Sequence, residues 1–130
     1  HWPDWPVPAL CLYGPRGSGK SHLAEVWRAR SAARSVLGRD LVGANPDVLL
    51  GDAQGLVIED ADSGLDETVC FHLYNMLKER GGHMLMTAQQ PPARWKVDLP
   101  DLKSRLGAAL VCEISPPDDE LMVGLVMDGQ

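Results

Sequence analysis

Short runs of consecutive apolar residues alternate along this chain with longer stretches whose apolar positions recur every three or four residues. The first run, Ala9-Leu10-Cys11-Leu12-Tyr13, has no polar alternation, which fits a strand covered on both faces. A glycine-rich turn over Gly14–Gly19 leads into a helical pattern from about Lys20 to Arg34, with Leu23, Val26, Trp27 and Ala33 near one face. Val36-Leu37 reads as a short strand, and Asn45-Pro46 as a turn. Leu56-Val57-Ile58 is a second buried strand that ends in Glu59-Asp60. A helix is predicted from about Asp66 to Arg80, acidic in its first turn, basic in its last and stopped by Gly81-Gly82. Val69, Phe71, Leu73, Tyr74, Met76 and Leu77 give it a broad apolar face.

Met84-Leu85-Met86-Thr87 is a third core strand, broken by Gln89-Gln90-Pro91-Pro92. Leu102–Leu106 forms a short helix behind Pro100, and Leu110–Ile114 a last strand. Ser115-Pro116-Pro117-Asp118 should open a final helix. Strands alternating with helices imply a three-layer α/β fold, a central parallel sheet with helices on both faces.

The length of 130 residues suits one domain, and an apolar share of 45% is enough for a core. No apolar run approaches the roughly 20 residues needed to cross a bilayer, so no membrane partner is expected. The first eight residues, rich in Trp and Pro, read as an incoming linker rather than a signal peptide. The chain does not begin with Met, and an upstream segment is expected. Cys11, Cys70 and Cys112 lie far apart without a C-x-x-C pair, and are expected to be three buried thiols of a cytoplasmic protein. The net charge of −6 argues against strong direct DNA binding, which usually needs a basic surface.

The chemistry lies in the turn. Gly14-Pro15-Arg16-Gly17-Ser18-Gly19-Lys20-Ser21 matches G-x-x-x-x-G-K-[ST], and it stands between a strand and a helix as that motif requires. Gly17 and Gly19 permit backbone angles that turn the loop amides inward as an anion nest. The helix start adds its positive end. Lys20 should reach the β- and γ-phosphates of ATP or ADP, and Ser21 should place its hydroxyl on Mg²⁺. A chance match in a chain of this length is expected roughly less than once in a hundred. Such a loop needs a carboxylate across from it, at the end of a neighbouring parallel strand. Glu59 takes the metal role, and Asp60 the orientation of an attacking water. Asp62 reads as surface.

These stations and the segments after them resemble the AAA+ ATPase core of the bacterial replication initiator DnaA family, most closely its Hda-type regulatory relatives. Leu73-Tyr74-Asn75, Thr87-Ala88-Gln89-Gln90-Pro91-Pro92 and Leu99-Pro100-Asp101-Leu102-Lys103-Ser104-Arg105-Leu106 carry the resemblance. The last looks like the family's L-x-x-L-x-S-R-[FL] segment. The resemblance implies that Arg105 is an arginine finger reaching the γ-phosphate on a neighbouring subunit, and that Gln89 holds the sensor position. The neighbour would be ATP-bound DnaA, whose hydrolysis the finger promotes, or a second copy of this chain through Arg105. It further implies a sliding-clamp partner for the intact protein. The family has Asp where Glu59 stands, and Asp-Arg where Gln89-Gln90 stand, so self-hydrolysis should be weak. Residues 116–130 read as the start of a truncated helical lid, and a core fragment of this kind should hold nucleotide less tightly than the intact protein. A DNA-acting initiator or helicase loader is the alternative; a small-molecule kinase lacks a visible substrate motif.

His22 is expected on the helix surface, and His72 and His83 have no ligand-spaced partner. Arg94-Trp95-Lys96 reads as a solvated loop, and Trp2 and Trp5 as packing residues.

Overall fold

The computed structural model describes residues 8–114. Strand β1 (Ala9–Tyr13) feeds the glycine turn and helix α1 (Lys20–Ser31); β2 (Arg34–Leu37) and α2 (Pro46–Leu50) follow. Then come β3 (Gly55–Glu59), α3 (Glu67–Glu79), β4 (His83–Ala88), α4 (Pro100–Gly107) and β5 (Leu110–Glu113). All strand pairs are parallel, in the order β2-β3-β4-β1-β5. The three-layer α/β expectation holds. Trp2, Trp5, the linker, the final helix at Ser115–Asp118 and the lid region fall outside the described residues, apart from Pro8.

Successive side chains of a strand point to opposite faces, and the core divides accordingly. Leu10, Leu12, Val57 and Leu85 pack with Ala24 and Trp27 of α1. Cys11, Leu56, Ile58, Met84 and Met86 pack on the other face with Leu73 and Leu77 of α3 and Leu102 and Leu106 of α4. The inner strands are mostly apolar because both faces are covered, with Thr87 the buried polar exception in β4.

Several features differ from the periodicity. α1 stops at Ser31, because Ala32 turns left-handed at φ 52° and Ala33 N–H closes on the Arg28 carbonyl at 3.0 Å. Arg34 is thereby released from the helix to start the edge strand β2, paired with Leu56. Asn45-Pro46 is more than a turn: Asn45 Oδ1 accepts from Asp47 N–H at 2.9 Å and caps α2, with Pro46 in its first turn. Among the described residues β5 is an edge strand with exposed side chains, so Cys112 is exposed while Cys11 and Cys70 are buried. The thiol expectation is corrected there, because strand position rather than local apolarity set the burial.

Burial pushes the Cys11 and Cys70 thiols up to about 12, with Asp62 adding to the first and Asp66 and Glu67 to the second. The folded chain keeps both protons where an unfolded thiol has begun to lose its own, at about pH 8.5. This contribution to stability is complete below that pH and is lost as pH rises toward the folded values. Urea unfolding should show stability falling from about pH 9, by up to roughly 1.4 kcal/mol per pH unit for each thiol. Cys70→Ala should make that slope shallower.

Candidate nucleotide-binding site

The loop leaves β1 at the carboxyl edge of the sheet. Gly14 N–H continues the ladder to the Ala88 carbonyl of β4 at 3.1 Å, and Ile114 N–H bonds the Tyr13 carbonyl at 2.8 Å. A side chain at Gly14 would collide with the Ile114 carbonyl, so this glycine is required by close approach. Gly17 and Gly19 are required by backbone angle, with φ 77° and 91°. Ser18 N–H closes the turn on the Pro15 carbonyl at 3.2 Å, and Lys20 Nζ bends back to the same oxygen at 3.1 Å. Lys20 is buried, so its ammonium lies within the loop rather than in solvent. Pro15 and Arg16 are exposed at the tip, and Ser21 is exposed in the first helical turn.

The start of α1 differs from those of α2 and α3. Asn45 caps α2, and Asp66 caps α3 through Oδ1 to Val69 N–H at 3.1 Å. α1 has Gly19 as its cap, no acidic residue in its first turn and, among the described residues, no side-chain cap bond. Its first amides therefore lack a side-chain acceptor and carry the positive end of the helix. Ser18 is 1% exposed, and its hydroxyl has no hydrogen-bond partner among the described residues. An uncapped helix start, an orphaned hydroxyl and an enclosed ammonium fit an anionic ligand.

β4 lies between β1 and β3, so the carboxylate strand is not the immediate neighbour that was expected. The register carries the acid across. Leu12 is level with Thr87, and Ile58 with Met86, which sets Glu59 level with Thr87. Two strand spacings put its Cα about 10 Å from that of Leu12. Alternation turns Glu59 toward the same face as Val57, the face that α1 covers. Asp60 leaves the strand at φ 53°, and its N–H donates to Thr87 Oγ1 at 3.2 Å. Gln89 follows β4 and is exposed.

The loop, Glu59, Asp60 and Gln89 thus share one edge of the sheet. Arg105 is not part of that cluster: it is exposed on α4, in the layer across the sheet from α1. Among the described residues no group of three or more His, Cys, Asp or Glu could hold a metal. A Mg²⁺ at Ser21 and Glu59 would need phosphate and water for its other ligands.

Several contributors escaped the motif reading. Asp62 is exposed but accepts the N–H groups of both Gln89 and Gln90. Glu67 Oε1 accepts from Asp98 and Leu99 N–H at 2.9 and 2.7 Å, joining the start of α3 to the approach to α4. Neither has a spacing signal. Trp95 is half-buried against the core and donates Nε1–H to the Gln90 carbonyl at 2.8 Å, while Arg94 and Lys96 are exposed. The solvated-loop expectation is corrected at the indole, whose large apolar area is available for packing. His22 is exposed on α1, as expected.

No family model matches the chain. The chromosomal replication initiator protein DnaA of Caulobacter vibrioides is 27% identical over 150 aligned positions, which cover 97% of this chain and 30% of that protein. The crystal structure of domain III of the Thermotoga maritima replication initiation protein DnaA superposes with a TM-score of 0.72 at 20% identity, covering 94% of this chain and 61% of that one. A replication initiator DnaA bound to AMPPCP and single-stranded DNA superposes with a TM-score of 0.69 at 19% identity, covering 82% and 40%. The chain spans about a third of the length of the curated relatives it matches. No helix among the described residues is long and apolar enough to cross a membrane. In sequence over nearly its whole length, and in fold, this chain is similar to replication initiator proteins of the DnaA type.

Proposed function

We propose that the chain binds ATP or ADP in the loop Gly14–Ser21 and works as an AAA+ regulator of bacterial replication initiation. The observation that carries the binding step is the start of α1, uncapped, free of acidic residues and closed over by Lys20. The loop amides and the Lys20 ammonium would hold the phosphates, and Ser21 and Glu59 would hold Mg²⁺. When bound, that cation offsets phosphate charge. Asp60 would orient water, and Gln89 would read the γ-phosphate. The neutral amide of Gln89, in place of a carboxylate, supports weak self-hydrolysis.

The regulatory step rests on Arg105. Its exposure, on the layer across the sheet from α1, supports delivery to a nucleotide held by another subunit. ATP-bound DnaA is the proposed recipient, self-association through Arg105 the homotypic alternative, and the sliding clamp a further partner of the intact protein. This assigns the chain to the cytoplasm, where the bacterial chromosome is.

A second reading is an initiator or loader that acts on DNA. A relative with single-stranded DNA bound favours it, and the acidic net charge is no ground for excluding such a partner. The two readings separate on salt. Binding of the intact protein to single-stranded DNA should be weak and nearly independent of salt if it is a regulator. A steep fall in log affinity with log salt would indicate several phosphate contacts and favour the DNA-acting reading.

A further inference from the structure

Past Ile58 the ladder between β3 and β4 can no longer continue in register, because Asp60 turns left-handed and carries the chain away from the sheet. The two strand ends remain joined by other means. Asp60 N–H reaches Thr87 Oγ1 at 3.2 Å, and Ala61 N–H reaches the Thr87 carbonyl at 2.8 Å. Ser63 closes the turn through N–H and Oγ, at 3.1 and 2.7 Å from the Asp60 carbonyl. One oxygen of Asp62, Oδ2, then accepts two successive amides of the opposite strand exit, Gln89 at 3.0 Å and Gln90 at 3.2 Å. Successive N–H groups converging on one anion form a nest, here filled by the chain's own carboxylate.

We propose that Asp62 is a positioning residue, a strap that holds the Gln89–Gln90 segment in fixed relation to Glu59 and Asp60 so that the γ-phosphate is distinguished from its absence. This rests on the nucleotide reading above. Gln89 and Gln90 have left the strand, so without Asp62 their amides would turn to water and the segment would lose its direct tie to the acid turn, keeping the Trp95 bond to the Gln90 carbonyl. The loop is tied to β4 independently of Asp62, by the backbone bond from Gly14 N–H to the Ala88 carbonyl at 3.1 Å. The strap is anionic and its hydrogen bonds are charge-assisted, so it is stronger than an equivalent neutral contact. It does not touch the α- and β-phosphate cradle made by residues 15–21. Its loss should therefore fall on ligands with a γ-position and spare those without.

The test compares wild type, Asp62→Ala and Asp62→Asn in the intact protein, by calorimetry with AMPPCP and with ADP and by amide hydrogen exchange. Asp62→Ala should weaken AMPPCP roughly five- to tenfold while ADP affinity stays as in wild type. Asp62→Asn keeps an acceptor oxygen without the charge and should fall between. Exchange at Gln89 and Gln90 should accelerate in the same order. An unchanged ratio of the two affinities would overturn the proposal, even if exchange accelerates. A parallel loss of both affinities with a lowered melting temperature would overturn it too, by reducing Asp62 to a structural tie. A wild type that takes up neither ligand is a distinct failure: it removes the nucleotide reading, and the strap's role with it.

Discussion

Lys20→Ala should weaken the affinity for ADP and AMPPCP by roughly 100-fold, since a charge-assisted contact contributes up to about 3 kcal/mol. The side chain is 6% exposed and its ammonium is 3.1 Å from the Pro15 carbonyl, so the charge is already placed inside the loop. A charge so enclosed interacts more strongly with an anion than one in water. The amides of the loop and the start of α1 remain in the variant, which is why binding should weaken rather than vanish. The fold should be spared, because the alanine deletes a polar group whose partner among the described residues is the Pro15 carbonyl, and leaves Ala24 and Trp27 packed as before. Calorimetric titration of both proteins checks this, with the melting temperature of the ligand-free protein as control. Equal affinities would contradict the phosphate assignment.

Arg105→Ala should abolish any acceleration of ATP hydrolysis that the intact protein confers on ATP-loaded DnaA, a loss of about 10³-fold or more. Leu102 and Leu106 anchor α4 in the core while Arg105 faces solvent, so the substitution should change stability by no more than about 0.5 kcal/mol. A lost rate at unchanged melting temperature would mark a group that acts in the transition state. The measurement is phosphate release from the mixture, against DnaA alone as baseline. Identical rates with wild type and variant would remove Arg105 from the role. A slowed rate in the protein's own hydrolysis, without DnaA present, would point instead to self-association.

The strands and the loop were legible for physical reasons. β1, β3 and β4 are buried on both faces, so each appears as an unbroken apolar run. The loop chemistry is local: the angles of Gly17 and Gly19 and the positions of Lys20 and Ser21 follow from eight consecutive residues. Helix α3 was equally clear, because its cap Asp66, its apolar face and its glycine stop all lie within one segment. The end of α1 was not, since Ala32 is a good helix former yet turns left-handed there, two residues before Arg34 pairs with Leu56.

Local pattern therefore pointed to most of the segments that enter the core, and to the loop proposed to hold an anion. It could not say that β4 separates β1 from β3, that Cys112 faces solvent, or that Asp62 reaches Gln89 and Gln90. Periodicity reports how many faces of a segment are covered, not which segment does the covering. Strand order and cross-strand bonds depend on contacts between residues remote in the chain, and those exist only once the sheet has assembled.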